Sequence, residues 1–215
     1  MIPNFDHIYW LGGSPCAGKS SIAHQLAEQF DLHLYHCDTE FERQQAQVTA
    51  ESAPTIHQLH QLSCDELWLR PVAEQLRTEI VYQEEQFQLI LADLRQLPAK
   101  QKILVEGSAL MPTAVFPYLS RPAQAIWLVP TATFQRHHYA QRPWIHDVLQ
   151  DCTQPAQAFE NWMQRDIAYA NWIRQETAVR QLNCLVVDGR HSIEENCRRV
   201  AQALGLQINL NEKTL

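Results

Sequence analysis

The apolar positions along this chain change period several times, and each change predicts an element. His7-Ile8-Tyr9-Trp10-Leu11 is a short, nearly continuous apolar run of strand length. From Ser20 to Phe30 the apolar residues fall at Ile22, Ala23, Leu26, Ala27 and Phe30, which is helical spacing. Leu32-His33-Leu34-Tyr35-His36 predicts a second strand that ends in Cys37-Asp38. Thr39 to Pro98 is helical in pattern, broken at Pro54, with a long helix through Leu67, Val72, Leu76, Ile80, Phe87, Ile90, Leu91 and Leu94, running to Leu97, that Pro71 kinks or restarts. No strand interrupts this block, which exceeds what a simple crossover needs. Residues 39–98 are therefore a candidate helical insertion.

The second half alternates more evenly. Ile103-Leu104-Val105, closed by Glu106-Gly107, predicts a buried parallel strand, and a short helix follows near 112–119. Ala125-Ile126-Trp127-Leu128-Val129 predicts the next strand, stopped by Pro130. Thr131 to Arg142 predicts a helix capped by Thr131 or Thr133 and ended by Pro143, with another from about Pro155 to Val179. Cys184-Leu185-Val186-Val187 predicts a fifth strand, and Ser192 caps a last helix through Ala203 with Glu194 and Glu195 in its first turn. Leu206–Leu210 is an edge strand or a tail. Strands alternating with helices imply an α/β fold with a parallel sheet and right-handed crossovers. Ligands of such sheets bind beyond the carboxyl ends of the strands.

One of those ends carries a motif. Gly13-Ser14-Pro15-Cys16-Ala17-Gly18-Lys19-Ser20 reads G-x-x-x-x-G-K-S, between a predicted strand and a predicted helix. The glycines let the backbone coil so that several N–H groups face one anion. Lys19 reaches the outer phosphates of a nucleoside triphosphate, the Ser20 hydroxyl ligates Mg²⁺, and the helix turns its positive end on the same anion. The chain has six glycines, and three stand at 12, 13 and 18, so the motif is not a by-product of glycine richness. Ser21 extends the candidate nucleotide-binding set of Gly13, Ser14, Pro15, Cys16, Ala17, Gly18, Lys19 and Ser20.

Composition narrows the picture only a little. At 215 residues the chain predicts one domain that can bury a full core, with 39–98 as the insertion and 131–179 as a separate helical region. A net charge of −7 argues against a nucleic-acid-coating surface, and no apolar run approaches the ~18 residues of a membrane span. Cysteines 16, 37, 64, 152, 184 and 197 show no C-x-x-C or metal-type pairing and are expected to be reduced thiols in a cytoplasmic protein.

The other strand ends supply candidate chemistry. Asp38, just past the second strand, suits a base for a substrate hydroxyl, a substrate ligand or a Mg²⁺ ligand through water; it equally suits a helix N-cap. Glu106 stands where a metal- or substrate-facing carboxylate would, or is a solvated strand end. Ser108 assists it or caps a helix. Arg136 and Arg142, with Arg165 on the facing helix, form a helix–break–helix region that can deliver cations to a transferring phosphoryl group; a solvated basic face is the plainer alternative. Arg43 is the arginine nearest Asp38 in the insertion and a candidate for an anionic substrate group.

With these pieces placed, the chain resembles the P-loop kinases of the adenylate-kinase-like group, including small-molecule kinases and phosphotransferases. The resemblance rests on Gly13–Ser20, on Asp38, on Val105-Glu106-Gly107, on Arg136, Arg142 and Arg165, and on Val186-Val187-Asp188-Gly189 before Ser192-Ile193-Glu194-Glu195. It implies a P-loop three-layer α/β/α sandwich with a five-stranded parallel sheet of order 2-3-1-4-5, ATP and Mg²⁺ as cofactors, residues 39–98 as the substrate-binding insertion and 131–179 as a lid. It further implies that Lys19, Asp38, Arg136, Arg142 and Arg165 serve catalysis and that Asp188 and Arg190 border the adenine. Two departures weigh against a nucleotide acceptor. Arg43 stands five residues from Asp38, and Arg136 and Arg142 are farther apart than the group's lid arginines. The expected activity is transfer of the γ-phosphoryl group to a small molecule, on a hydroxyl, by a monomer or homodimer with no nucleic-acid or membrane partner. The alternative is a P-loop ATPase or nucleotide-binding regulator without a small-molecule acceptor.

Overall fold

The structure, a computed structural model, describes residues 5–207. Five strands form one sheet: β1 (Ile8–Gly13), β2 (His33–His36), β3 (Ile103–Glu106), β4 (Ala125–Pro130) and β5 (Asn183–Val187). All pairings are parallel and the order is β2-β3-β1-β4-β5, as expected. Burial follows the two-residue period of the strands. Ile8, Trp10, Ile103, Val105, Trp127 and Val129 face one side, and Tyr9, Leu11, Leu104, Ile126 and Leu128 face the other.

Helices cover both faces. On the second face lie α1 (Lys19–Phe30), through Ile22, Ala23 and Leu26, and α10 (Ile193–Ala203), through Cys197, Val200 and Ala201. On the first face lie α5 (Val72–Leu94), through Phe87, Ile90, Leu91 and Leu94, and α9 (Pro155–Val179), through Tyr169, Ala170 and Ile173. The third layer is thus complete, and each face of the sheet keeps its backbone dry.

Between β2 and β3 the chain forms α2 (Cys37–Gln44), α3 (Pro54–Leu59), α4 (Cys64–Trp68) and α5. Pro71 restarts the pattern rather than kinking it: it occupies the N-cap position of α5, where its missing N–H costs nothing. A short α6 (Pro112–Val115) precedes β4. After β4, α7 (Ala132–Tyr139) is capped by Thr131, whose hydroxyl accepts from Phe134 N. α7 stops at Tyr139, short of the expected Arg142, and the chain turns through 140–143 rather than running helical up to Pro143. Pro143 instead starts α8 (Trp144–Leu149), which the sequence pattern does not announce because Ile145 and Leu149 are its only buried residues. Ser192 and Glu195 form a reciprocal capping box at α10. Of the Leu206–Leu210 expectation, Leu206 and Gln207 are not in a strand and 208–210 lie outside the described residues.

The expectation of six reduced thiols is overturned. Cys64, at the start of α4, and Cys152, between α8 and α9, form a disulfide with Cα atoms 5.0 Å apart. Their 88-residue separation hides the pairing from any local pattern, since only the packing of α4 against α9 brings them together. Cys16, Cys37, Cys184 and Cys197 are free thiols.

Candidate active site

The site grows from the carboxyl ends of β1, β2 and β3. Sheet register sets Leu11 beside Glu106 and Glu106 beside His36, so three strands end together below the phosphate loop. Gly12 and Gly13 close β1 under tight restraint. A Cβ on Gly12 would strike Leu110 O and the Trp127 ring, and one on Gly13, where φ is +132°, would run into the Leu128 carbonyl. The loop that follows takes left-handed turns at Cys16 (φ +67°) and Gly18 (φ +76°). Left-handed turns of this kind converge successive N–H groups into an anion-sized concavity at the start of α1.

Two features of this cradle fit a triphosphate. Ser14 is fully buried, and its hydroxyl has no hydrogen-bond partner. Lys19 is 7% exposed, yet among the described residues no carboxylate lies at ion-pair distance from it; its ammonium donates to Ser14 O at 2.9 Å and to Ser108 Oγ at 3.4 Å. A buried ammonium held only by neutral oxygens is poised to meet an anion, because burial has a cost that full pairing would offset.

Glu106 is not a solvated strand end. It is 1% exposed, and its Oε2 lies 3.1 Å from His36 Nε2, an ion-pair distance without hydrogen-bond alignment. Burial holds its carboxyl above the usual range, against the opposing pull of Lys19, His36 and the Ser20 hydroxyl. Ser20 and Glu106 therefore face one another beside Lys19. His36 is a site residue that sequence reading passed over as the last strand position. Its one signal was its place immediately before Cys37-Asp38.

Asp38 lies in the first turn of α2, exposed, and its side chain makes no capping bond. The N-cap alternative is thereby removed. Its charge is felt by Glu106 and by Tyr82 of α5, and Tyr82 in turn packs its ring 5.9 Å from Phe41 of α2. Asp38 thus lies within electrostatic reach of both Glu106 at the end of β3 and Tyr82 of α5.

The arginines divide. Arg142 reaches the phosphate loop: its Nη2 lies 3.6 Å from Cys16 Sγ, and its guanidinium rests over the Tyr139 and Trp144 rings at 4.8 and 5.7 Å. No carboxylate lies at ion-pair distance from it among the described residues. Arg165 is half-buried and committed elsewhere, bonding Glu79 of α5 at 2.9 Å and its neighbour Asp166 at 2.6 Å. Tyr139 donates to the other Asp166 oxygen at 3.0 Å. Burial would lower the Arg165 pKa, but Asp166 and Glu79 raise it further, so its charge is secure. Arg136 forms a two-pronged pair with Glu160 at 2.7 and 2.8 Å, on a partly exposed flank. Arg43 is exposed and bound to Glu40 and Asp93. Of the proposed cations, the fold brings Lys19 and Arg142 together at the loop, places Arg165 one layer behind, and leaves Arg136 and Arg43 tied to surface carboxylates.

Asp188 and Arg190 follow β5 and pair with each other at 2.5 Å. Gly189 between them has φ +86°, and a Cβ there would press on the Phe134 ring at 3.1 Å. Tyr169 is the other residue not anticipated; its hydroxyl donates to Ser108 O at 2.9 Å and so steadies the neighbour of Lys19.

No protein-family profile matches this chain, and no curated protein does. Among solved structures it is similar to a shikimate kinase from Aquifex aeolicus vf5, at 15% identity and a TM-score of 0.44, over 92% of this chain and 96% of that one. It is also similar to a deoxyadenosine kinase from M. mycoides with bound dATP, at 13% identity and a TM-score of 0.47, over 92% and 99% of the two chains. A shikimate kinase from Acinetobacter baumannii in complex with shikimate stands alike, at 13% identity and a TM-score of 0.45, over 94% and 92%.

Proposed function

We propose that this protein is an ATP-dependent phosphotransferase that moves the γ-phosphoryl group to a hydroxyl of a small molecule. The observation that carries this reading is the free Asp38 carboxylate beside a phosphate cradle that already holds Lys19, Ser20 and Arg142. A water-using ATPase has no need of a second carboxylate, beyond Glu106, at the end of a strand next to the phosphate loop.

In this reading Gly13–Ser21 embraces the triphosphate, and Lys19 leaves Ser14 O to meet the β- and γ-phosphates. Ser20 would hold Mg²⁺, with Glu106 or Asp38 meeting its water shell. Among the described residues no group of three or more His, Cys, Asp or Glu gathers to bind a metal, which suits an ion held mostly by phosphate and water. When bound, the cation neutralises charge on the transferring group. Asp38 accepts the proton of the attacking hydroxyl. Arg142, carried by the 131–179 segment acting as a lid, adds positive charge at the γ-phosphoryl group as the site closes and sheds water. Arg165 acts from behind, fixing α9 to α5 through Glu79. Residues 39–98 form the acceptor side, and Asp188 and Arg190 border the base.

The test is ATP consumption, with product followed by phosphorus NMR, across a panel of hydroxyl compounds. Acceptor-stimulated turnover is expected, and Asp38→Asn should abolish it while nucleotide binding, measured by calorimetry, persists. Turnover that no acceptor stimulates, with water as the sole acceptor, would replace this reading by that of a switch ATPase.

A further inference from the structure

The Cys64–Cys152 disulfide joins two regions that the proposed chemistry requires to move relative to one another. Cys64 opens α4 on the acceptor side, and Cys152 lies between α8 and α9. Non-covalent contacts flank the bond. Asp65 accepts from Thr153 N at 2.8 Å and from Thr153 Oγ1 at 2.7 Å, and Asn161 Nδ2 donates to Trp68 O at 2.9 Å. The Trp68 and Trp162 rings stack at 4.5 Å. These contacts are reversible and can break and re-form as the two sides part, whereas the covalent link holds for as long as the sulfurs are oxidised.

The link ends close to the phosphate-loop arginine. Arg142 and Cys152 bracket α8, so the segment that carries the guanidinium is anchored at its far end by the disulfide. Ile145 and Leu149 of α8 pack with Tyr139, Trp162, Met163 and Cys152, while Trp144 and Val148 are exposed. This one-turn-and-a-half helix is held by that edge, by the ring contacts of Trp144 with Tyr139 and Trp162, and by the covalent anchor, a small set of restraints.

We propose that Cys64–Cys152 is a thiol–disulfide modification site that governs how freely the Arg142-bearing segment parts from the acceptor-side helices. Its consequence for turnover rests on the phosphotransferase reading above. The oxidised form holds the two sides together and slows the opening that admits acceptor and releases product; the reduced form opens. The chemistry balances with a dithiol as co-reactant. One dithiol thiolate attacks the half-buried Cys64 sulfur, in preference to the Cys152 sulfur, which is only 6% exposed. The S–S bond breaks, and Cys152 leaves as a thiolate and is protonated. The second dithiol sulfur then attacks the mixed disulfide, frees Cys64 and closes the reductant's own disulfide, so two electrons pass to the protein. Val148 O lies 3.7 Å from the Cys64 sulfur, a ready acceptor for the freed S–H.

The experiment uses the full chain purified without reductant, before and after treatment with dithiothreitol. Thiol titration in denaturant should find four thiols before and six after, matching the free cysteines and the whole set. Hydrogen exchange of α8 amides should quicken about fivefold or more on reduction, the low end of ordinary coupling between sites. ATP turnover with Mg²⁺ should rise by a similar factor. A Cys64→Ser/Cys152→Ser variant should behave as the reduced form with or without dithiothreitol; if it folds poorly, the alanine pair and the reduced native chain ask the same question. Six thiols before treatment, or α8 exchange unchanged by reduction, overturns the proposal. So does a double variant that still responds, which would point to Cys16 beside Arg142. An exchange response with no ATP turnover in either state, with the same panel of hydroxyl acceptors present, supports the modification site and overturns the phosphotransferase reading instead.

Discussion

At the scale of single residues, what matters is whether a charge is already spent inside the protein. Arg142 and Arg136 are six positions apart on the same stretch, and composition alone weighs them equally. Arg136 is bound to Glu160 by two bonds, whereas Arg142 meets only a thiol and aromatic faces. Arg142→Ala should lower kcat of the transfer reaction by about 10²-fold, the scale of losing one preorganised charge partner. Arg136→Ala should leave kcat within about twofold and cost no more than about 1 kcal/mol of stability in urea unfolding, as for other exposed pairs. The Arg136 bond also sets a pH signature. Its hydrogen bonds hold the Glu160 carboxyl down at about 2, against 4.5 for the free group. A depressed carboxylate stabilises the fold above its unfolded pKa, and that contribution is lost as pH falls from about 4.5 towards 2. Thermal melts of native and Arg136→Ala protein should therefore converge as the pH is taken below 3 (~1 unit above the depressed value). Gly13→Ala is the backbone counterpart: with φ at +132° and the Leu128 carbonyl in the way, the added methyl should abolish nucleotide binding or folding, scored by calorimetry and circular dichroism.

At the scale of elements, the periodic ones were legible and the short ones were not. The five strands and α1, α5, α9 and α10 follow from apolar spacing because each buries a continuous stripe against the sheet. Shorter pieces leave no period: α8 buries only Ile145 and Leu149, and α4 buries no side chain fully, resting Cys64 and Trp68 partly buried against the same cluster. They are held by partners distant in sequence. Trp68 of α4 depends on Trp162 and Arg165 of α9. Trp68→Ala should cost about 3 kcal/mol in denaturant unfolding, in line with other large-to-small aromatic losses. It should also raise hydrogen exchange in 63–70 more than in the sheet, because α4 then loses its main non-covalent dock.

At the scale of the whole molecule, the disulfide is the feature with the widest reach. It closes a loop of 88 residues that runs from α4 through β3 and β4 to the start of α9. Cross-links over loops of this kind typically contribute about 2–4 kcal/mol. The Cys64→Ser/Cys152→Ser variant should show that loss by urea unfolding while keeping native near-ultraviolet circular dichroism, since the hydrogen bonds of Asp65 and Asn161 remain.

The sequence by itself determined the parallel α/β sheet, its strand boundaries to within a residue or two, and the tight glycine-bearing loop between β1 and α1. Those rest on short-range rules: apolar period, glycine conformation and a motif whose eight residues are contiguous. It also marked Asp38 and Glu106, because both stand at strand ends, where such sheets bind ligands. Only the tertiary structure decided which candidates share a site and in what state. Glu106 is buried because β1 and β2 flank it, and the same register brings His36 to its side. Arg165 turns inward because Glu79, on a helix 86 residues away in sequence, meets it there. Cys64 and Cys152 become a bond because α4 packs on α9. In each case the deciding partner lies far along the chain, and a side chain's charge, burial or oxidation state is fixed by what packs against it rather than by what precedes it.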